Sequence, residues 1–369
     1  MRVFKHIASG YDPSELNGHE IVHLTYDSYI IQRKISRLDF LKHGISGGHF
    51  HARLTNPSYI QSLYLNQERW YMKYLDDLGE VFVDCDVIVI NPGVDIVHPE
   101  FLKRHFNNKL RVLHFIDDPH LSYSYGFSQA WAYNAATYIS PSYNVDSSMA
   151  EILRLVGFSR IKWLPHTVSN TGKAFNIDDF VASLALRNGK SIYVGGYYSG
   201  KAKRLIYLKK NLKNDFSIYG RQPLYGLMLQ LHAFLVDKRT IIGRVRPLSP
   251  ETLRQVYSRY SIGINMHLSQ PNLETGNARL YELPFNGLTQ VVDKSQYSGI
   301  SEIFEIGEEI LCYESIEECY EIVRMLIVDK KERERIALNG FVRAISDYSY
   351  AKTLNDELDW YAELMNSPA

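Results

Sequence analysis

Short β-branched runs alternate with helical patterns along most of this 369-residue chain, and that alternation restricts its fold more than any other feature. A strand, an amphipathic helix and a second strand bring the chain back to the same sheet in parallel, with helices covering the faces. In the first half, strands are predicted at residues 2–7, 20–25, 87–91, 110–116, 137–140 and 161–164, with a long helix over 59–78. After Pro165 the pattern dissolves into Val168-Ser-Asn-Thr-Gly-Lys173 and then resumes. The second half predicts strands at 191–194, 216–219, 261–266, 288–292 and 309–313, and helices at about 201–213, 249–257 and 275–285.

A chain of this length exceeds what one core usually supports, so two domains are expected. The pattern places an N-terminal doubly wound domain over 1–168, a linker over 169–188 and a second doubly wound domain over 189–346. Ser315-Ile-Glu-Glu318 reads as a capping box that opens a helix. The last segment, 347–369, contains a helix whose Leu354, Leu358, Tyr361 and Met365 form one apolar stripe, and that stripe requires a partner.

Composition narrows the partners. The 41 basic residues match 41 acidic ones, so the chain carries no strong nucleic-acid signal. Cys85, Cys312 and Cys319 lie outside any disulfide framework or zinc spacing, which fits a reducing, cytoplasmic setting. No apolar run approaches the roughly 20 residues that span a bilayer, so any membrane contact is expected to be peripheral. Nothing in the sequence sets an oligomeric state.

Two facing doubly wound domains form a cleft at the carboxyl ends of their strands, where such sheets bind ligands. Gly195-Gly196 follows a predicted strand directly, and the next helix opens with Lys201, Lys203 and Arg204. The glycines admit a phosphate and the cations neutralise it, or the same residues make a tight turn before an ordinary basic helix. Neither a P-loop nor a dinucleotide fingerprint is present. Glu274 and Glu282 are separated by seven residues at a predicted helix start. Eight residues of helix span about 12 Å, a length that suits an elongated ligand with hydroxyls at both ends, such as a nucleotide-sugar. The free amides of that helix N-terminus suit a diphosphate.

Other groups call for weighing. Asp118 and His120, in Asp117-Asp-Pro-His120, stand at a strand end either as sugar contact or base, or as a turn in which Asp caps the chain. Asp84 and Asp86 imitate a D-x-D metal motif, but the strong strand that begins at Val87 makes them a strand-entry turn. Gly47-Gly48-His49-Phe-His51 lacks a third metal ligand and reads better as an acceptor-side loop. His166 reaches either the donor or a neighbouring domain.

The stretch from Ser261 to Tyr313, with Glu274-x7-Glu282, Arg279-Leu-Tyr-Glu282, Asn286-Gly287 and Gly307-Glu-Glu-Ile-Leu311, resembles the C-terminal domain of GT-B glycosyltransferases. It is most similar to the CgeB-like group, near the retaining family 4 enzymes. Asp117-Asp118-Pro119, Ile139-Ser-Pro-Ser142, Gly157 and Leu164-Pro-His166 follow that group's N-terminal domain in order. The resemblance implies an α/β GT-B fold of two Rossmann-like domains, with the last helix crossing back to the N-terminal one. It implies a nucleoside-diphosphate-sugar donor and no metal. Glu282 is then expected on the ribose and Glu274 on the sugar hydroxyls. Gly195, Gly196, Lys203 and Arg204, with the amides of Gly276 and Asn277, are expected at the diphosphate. Family 4 enzymes often carry Arg soon after the first glycine, where this chain has Tyr197-Tyr198, so Lys201, Lys203 and Arg204 all stand as candidates for the basic role. The expected reaction is sugar transfer with retention to an acceptor held by the first domain. A nucleotide-sugar epimerase, a DNA-base glycosyltransferase and a non-catalytic nucleotide-sugar scaffold are the alternatives.

Overall fold

The computed structural model describes residues 1–4, 18–22, 85–90, 109–114, 137–140, 148–155, 157–167, 176–196, 199–220, 248, 250–267, 277–294 and 299–366. The predicted helix over 59–78 lies outside these residues, as do Asp84 and the loop carrying Gly47, Gly48, His49 and His51. The chain divides into one compact unit of Met1–Pro165 with Tyr350–Ala369, and a second of His166–Ser349.

In the first unit, β1 (Arg2–Phe4), β2 (Glu20–Val22), β3 (Val87–Ile90), β4 (Leu110–His114), β5 (Thr137–Ser140) and β6 (Arg160–Trp163) form a sheet in the order β2-β1-β3-β4-β5-β6. Every pairing is parallel. Helix α1 (Ser148–Leu155) connects β5 to β6. At the entry to β3 the Asp86 carboxylate accepts the Arg2 backbone N–H at 2.8 Å, and the Asp86 N–H donates to the Arg2 carbonyl at 2.8 Å. Asp86 therefore ties two strand starts together, as expected of a strand-entry turn.

The second unit contains α2 (Ile177–Ala185), β7 (Ser191–Val194), α3 (Ser199–Leu212), β8 (Phe216–Tyr219), α4 (Pro250–Tyr257), β9 (Ile262–Asn265), α5 (Ala278–Phe285), β10 (Thr289–Asp293), α6 (Ile300–Ile303), β11 (Leu311–Tyr313), α7 (Ile316–Val328) and α8 (Lys330–Tyr348). Its sheet is also parallel, in the order β11-β10-β9-β7-β8. Along β7 the side chains alternate between two cores: Ile192 and Val194 join Tyr257, Leu283 and Leu288, while Tyr193 joins Leu205, Leu208, Phe216 and Val323. A period of two with both faces buried is the signature of a central strand in a doubly wound sheet.

The stretch expected as a linker is partly a helix. Asn176 accepts the Asp178 N–H at 2.8 Å as the cap of α2, and Phe180 stacks on Phe341 of α8 with ring centroids 3.6 Å apart. Phe180, Leu184, Ala337 and Phe341 form one apolar cluster, so burial rather than flexibility governs residues 177–185. Ser315 caps α7 by accepting the Glu318 N–H at 3.1 Å, and the Glu318 carboxylate returns to the Glu314 N–H at 2.7 Å, one residue before the position a capping box uses.

The last helix, α9 (Tyr350–Asn366), leaves the second unit at Ser349 and packs on the first sheet. Leu354, Leu358 and Tyr361 join Val3, Val87, Val112 and Ile139 in one core. Burial of each such side chain contributes about 1.5–3 kcal/mol. The stripe ends there, because Met365 is 47 % exposed.

Candidate functional site

In the second sheet the chain winds outward in opposite directions from β7 and β9, which are hydrogen-bonded neighbours. That reversal leaves a crevice at the carboxyl ends of the two strands, the place where doubly wound sheets bind ligands. Gly195-Gly196 follows β7, and Met266-His267 follows β9.

Glycine is required after β7 for reasons of local packing. A Cβ on Gly195 would stand 2.7 Å from the Tyr193 hydroxyl oxygen, and that hydroxyl donates to the Gly196 carbonyl at 3.1 Å. The Gly195 N–H donates to the Tyr219 carbonyl at 3.0 Å, and a Cβ on Gly220 would lie 1.9 Å from the Gly195 carbonyl oxygen. The two strand ends thus approach backbone to backbone, and Tyr193 folds beneath the turn.

The three candidate cations of α3 separate clearly. Lys203 is exposed. Arg204 donates from Nη1 to Asp293 at 2.9 Å and from Nη2 to the His267 carbonyl at 2.8 Å. Lys201 lies with Nζ 5.9 Å from the Tyr193 ring centroid and has no carboxylate partner among the described residues. Burial lowers its pKa to about 8; Asp293 pulls in the opposite direction, and Arg204 and Arg279 lower it further. Arg279 donates from Nε to the Val194 carbonyl at 3.0 Å and pairs with Glu282 one turn along α5. Lys201, Arg204 and Arg279 therefore put three positive charges around the end of β7.

Helix α5 begins later than the sequence pattern predicts. Asn277 is its cap, with the side-chain oxygen accepting the Arg279 N–H at 2.9 Å. Glu274 is therefore upstream of the helix and outside the described residues, and the 12 Å helical ruler to Glu282 does not apply. The amides expected to receive a diphosphate also have other acceptors. The Asn277 N–H donates to His267 Nε2 at 3.2 Å, and the Leu280 N–H to the Asn277 carbonyl at 2.8 Å. Asn277 is thus the cap of α5, and its N–H faces His267.

The rest of α5 is fixed by a side-chain bond from β10 and by its C-terminal turn. Pro284 has no N–H to give the Leu280 carbonyl, and Gln290 of β10 supplies its side-chain amide instead, at 3.0 Å. The helix ends in a Schellman turn: Gly287, at φ +71°, donates to Pro284 O at 2.7 Å, and Leu288 to Leu283 O at 3.0 Å. The Arg279 bond to the Val194 carbonyl holds the first turn of α5 at the end of β7, and Glu282 follows through its pairing with Arg279.

Sequence reasoning missed the residues at the centre of the network. Asp293, at the end of β10, accepts the His267 backbone N–H at 2.8 Å and the His267 Nδ1–H at 2.7 Å, in addition to Arg204. Burial raises the Asp293 pKa, but the bonds from His267 and Arg204 outweigh burial and hold the carboxyl below its usual range. The two residues are 26 positions apart in the chain. The parallel register of Val292 with Asn265 is what brings them together, and the two adjacent predicted strand ends are the signal that could have found them.

His166 lies with its ring centroid 6.0 Å from Tyr281, edge to face, within the second unit. Asp118, His120 and Gly276 lie outside the described residues. No helix among the described residues is long and apolar enough to cross a membrane.

Residues 203–359 match a protein-family model described as glycosyl transferase-like. No curated protein matches the chain. Among solved structures, a glycosyltransferase from Rickettsia africae ESF-5 aligns with a TM-score of 0.56 at 12 % identity, over 100 % of this chain and 99 % of that one. Sucrose-phosphate synthase from Thermosynechococcus elongatus aligns at 0.56 and 12 % identity, over 84 % and 80 % of the two chains. Anabaena Alr3699/HepE, described in complex with UDP and glucose, aligns at 0.54 and 14 % identity, over 98 % and 99 %. Two parallel doubly wound sheets and a last helix returned to the first of them give the chain the GT-B fold of these structures, and its residues 203–359 are glycosyl transferase-like in sequence.

Proposed function

We propose that this enzyme takes a sugar from a nucleoside-diphosphate donor bound at the carboxyl ends of β7 and β9 and transfers it with retention, without a metal ion. The observation that carries the reading is Lys201, a half-buried cation set beside Arg204 and Arg279 and without an ion-paired carboxylate among the described residues. A diphosphate supplies the missing charge. The Anabaena neighbour's complexes with UDP and glucose and with UDP-glucose support a donor of this class.

Cleavage of the sugar–phosphate bond builds negative charge on the departing diphosphate. Cations fixed there beforehand stabilise that charge more in the transition state than in the ground state, which is the role a metal plays elsewhere. Of the three basic candidates we assign the diphosphate contact to Lys201, with Arg204 and Arg279 supplying field from fixed positions. Glu282 is assigned to the ribose hydroxyls and Glu274 to the transferred sugar. In a retaining transfer the departing phosphate accepts the acceptor's proton, so no protein base is needed. Asp118 and His120 are assigned to sugar contact, and residues 1–165 to acceptor recognition. The three cysteines are all free thiols, which supports a cytoplasmic location.

The test is turnover of UDP-, GDP-, ADP- and CDP-sugars in EDTA, with and without candidate acceptors, and assignment of product anomeric configuration by NMR. Metal-independent transfer with retention is expected. Epimer formation without an acceptor, or activity that EDTA abolishes and manganese restores, contradicts the reading.

A further inference from the structure

Asp293 and His267 form a chain of contacts that ends on the cap of the donor-site helix. Asp293 accepts the His267 Nδ1–H, so the ring's other nitrogen keeps its lone pair, and that lone pair faces the Asn277 N–H at 3.2 Å. Asn277 in turn caps α5 through its side-chain oxygen and donates its side-chain amide to Asn265 at 3.0 Å, at the end of β9. One imidazole therefore joins the chain at residue 267 to the chain at residue 277. The same carboxylate that sets its tautomer also orients Arg204. His267 is 8 % exposed and Asn265 is 2 % exposed, so water competes little for these bonds.

We propose that His267 is a positioning residue for donor binding, with Asp293 as its orienting partner: it fixes the N-terminus of α5, and through it Arg279 and Glu282, at the diphosphate and ribose. The inference rests on the donor-site reading above. It follows from the directions of the bonds. An imidazole with its proton on Nε2 would point two N–H groups at each other and lose both the Asn277 and Asp293 contacts. A side chain that only filled space at this position would have no need of an acceptor at the Nε2 position.

Two substitutions divide the ring's functions. His267→Asn keeps a donor near the Nδ1 position and loses the acceptor for Asn277, whereas His267→Gln keeps an acceptor near the Nε2 position. The binding probes are UDP, GDP, ADP and CDP, measured by calorimetry, with thermal melts of each variant alongside. Loss of one hydrogen bond that orders the site predicts about a tenfold weaker nucleotide Kd for His267→Asn, and His267→Gln is expected to recover most of it. Donor KM should rise with kcat little changed. Nitrogen-15 spectra of the unliganded protein should show the His267 proton on Nδ1. If the wild type binds none of the four nucleotides, the donor-site reading itself fails. If it binds one and the two variants weaken equally or not at all, or the proton is on Nε2, the positioning role is overturned while the donor site stands.

Discussion

Arg204 spends one guanidinium nitrogen on Asp293 at 2.9 Å and another on the His267 carbonyl at 2.8 Å, so of the two cations on this side of α3 it is the one with a partner. Lys201, one turn earlier, has no ion-pair partner among the described residues, and the field of Asp293 offsets only part of the effect of its burial. Arg204→Ala should strip a counter-ion from a mostly buried carboxylate and destabilise the protein by about 2–4 kcal/mol. Lys201→Met should leave stability unchanged or raise it while weakening nucleotide binding by about tenfold or more. Thermal melts and calorimetry on the two variants check this. Equal losses of stability would show that both cations are structural.

The Lys201 pKa of about 8 sets two opposite pH dependences. Donor binding needs the ammonium form, so affinity should be highest on the acid side and decline as pH rises through about 8. The unfolded chain keeps its lysine proton up to the ordinary value of 10.5, so between about 8 and 10.5 the unfolded state binds more protons than the folded one. Over that window this group's contribution to stability rises with pH. In Lys201→Met both trends should vanish, as titration of binding and melting temperature against pH would reveal.

Gln290 and Pro284 form a testable pair. Gln290→Leu leaves the Leu280 carbonyl buried without a donor and should cost about 1–3 kcal/mol. In a Pro284→Ala background the restored N–H can serve that carbonyl, so the same substitution should cost less. A double-mutant cycle by chemical denaturation gives the coupling. Purely additive losses would mean that Gln290 does not stand in for the missing amide.

Leu358 is fully buried on the first sheet although it belongs to the last helix. Leu358→Ala should destabilise by about 2–5 kcal/mol. Truncation after Ser349 should expose the face formed by Val3, Val87, Val112 and Ile139 and cause aggregation. A soluble truncated chain with an unchanged melting transition would contradict the packing.

Local pattern was enough to read β7 and β8: 191–194 and 216–219 have the same bounds in sequence and structure, because each is a short β-branched and aromatic run followed by a glycine turn. The sequence pattern starts α5 at 275, three residues early, because only the His267 and Asn265 contacts mark Asn277 as the cap. Asn176-Ile-Asp-Asp carries the cap signal of α2, but the short apolar face of that helix acquires meaning only against Phe341. Met365 continues the stripe of α9 in sequence but is half exposed in the structure. The His267 and Asp293 pair was hidden for a different reason. Nothing local joins residues 26 apart, and only the register of β9 with β10 does so.

The central claim is that Lys201 holds a donor diphosphate at the end of β7. It is tested most directly by a thermal-shift screen of wild type and Lys201→Met against UDP-, GDP-, ADP- and CDP-sugars in EDTA, because a ligand at 100 times its Kd stabilises the folded state by about 2.7 kcal/mol. The account predicts a clear rise in melting temperature for one nucleotide class with wild type and little or none with Lys201→Met. An equal rise in both proteins, or no rise with any of the four, would contradict it.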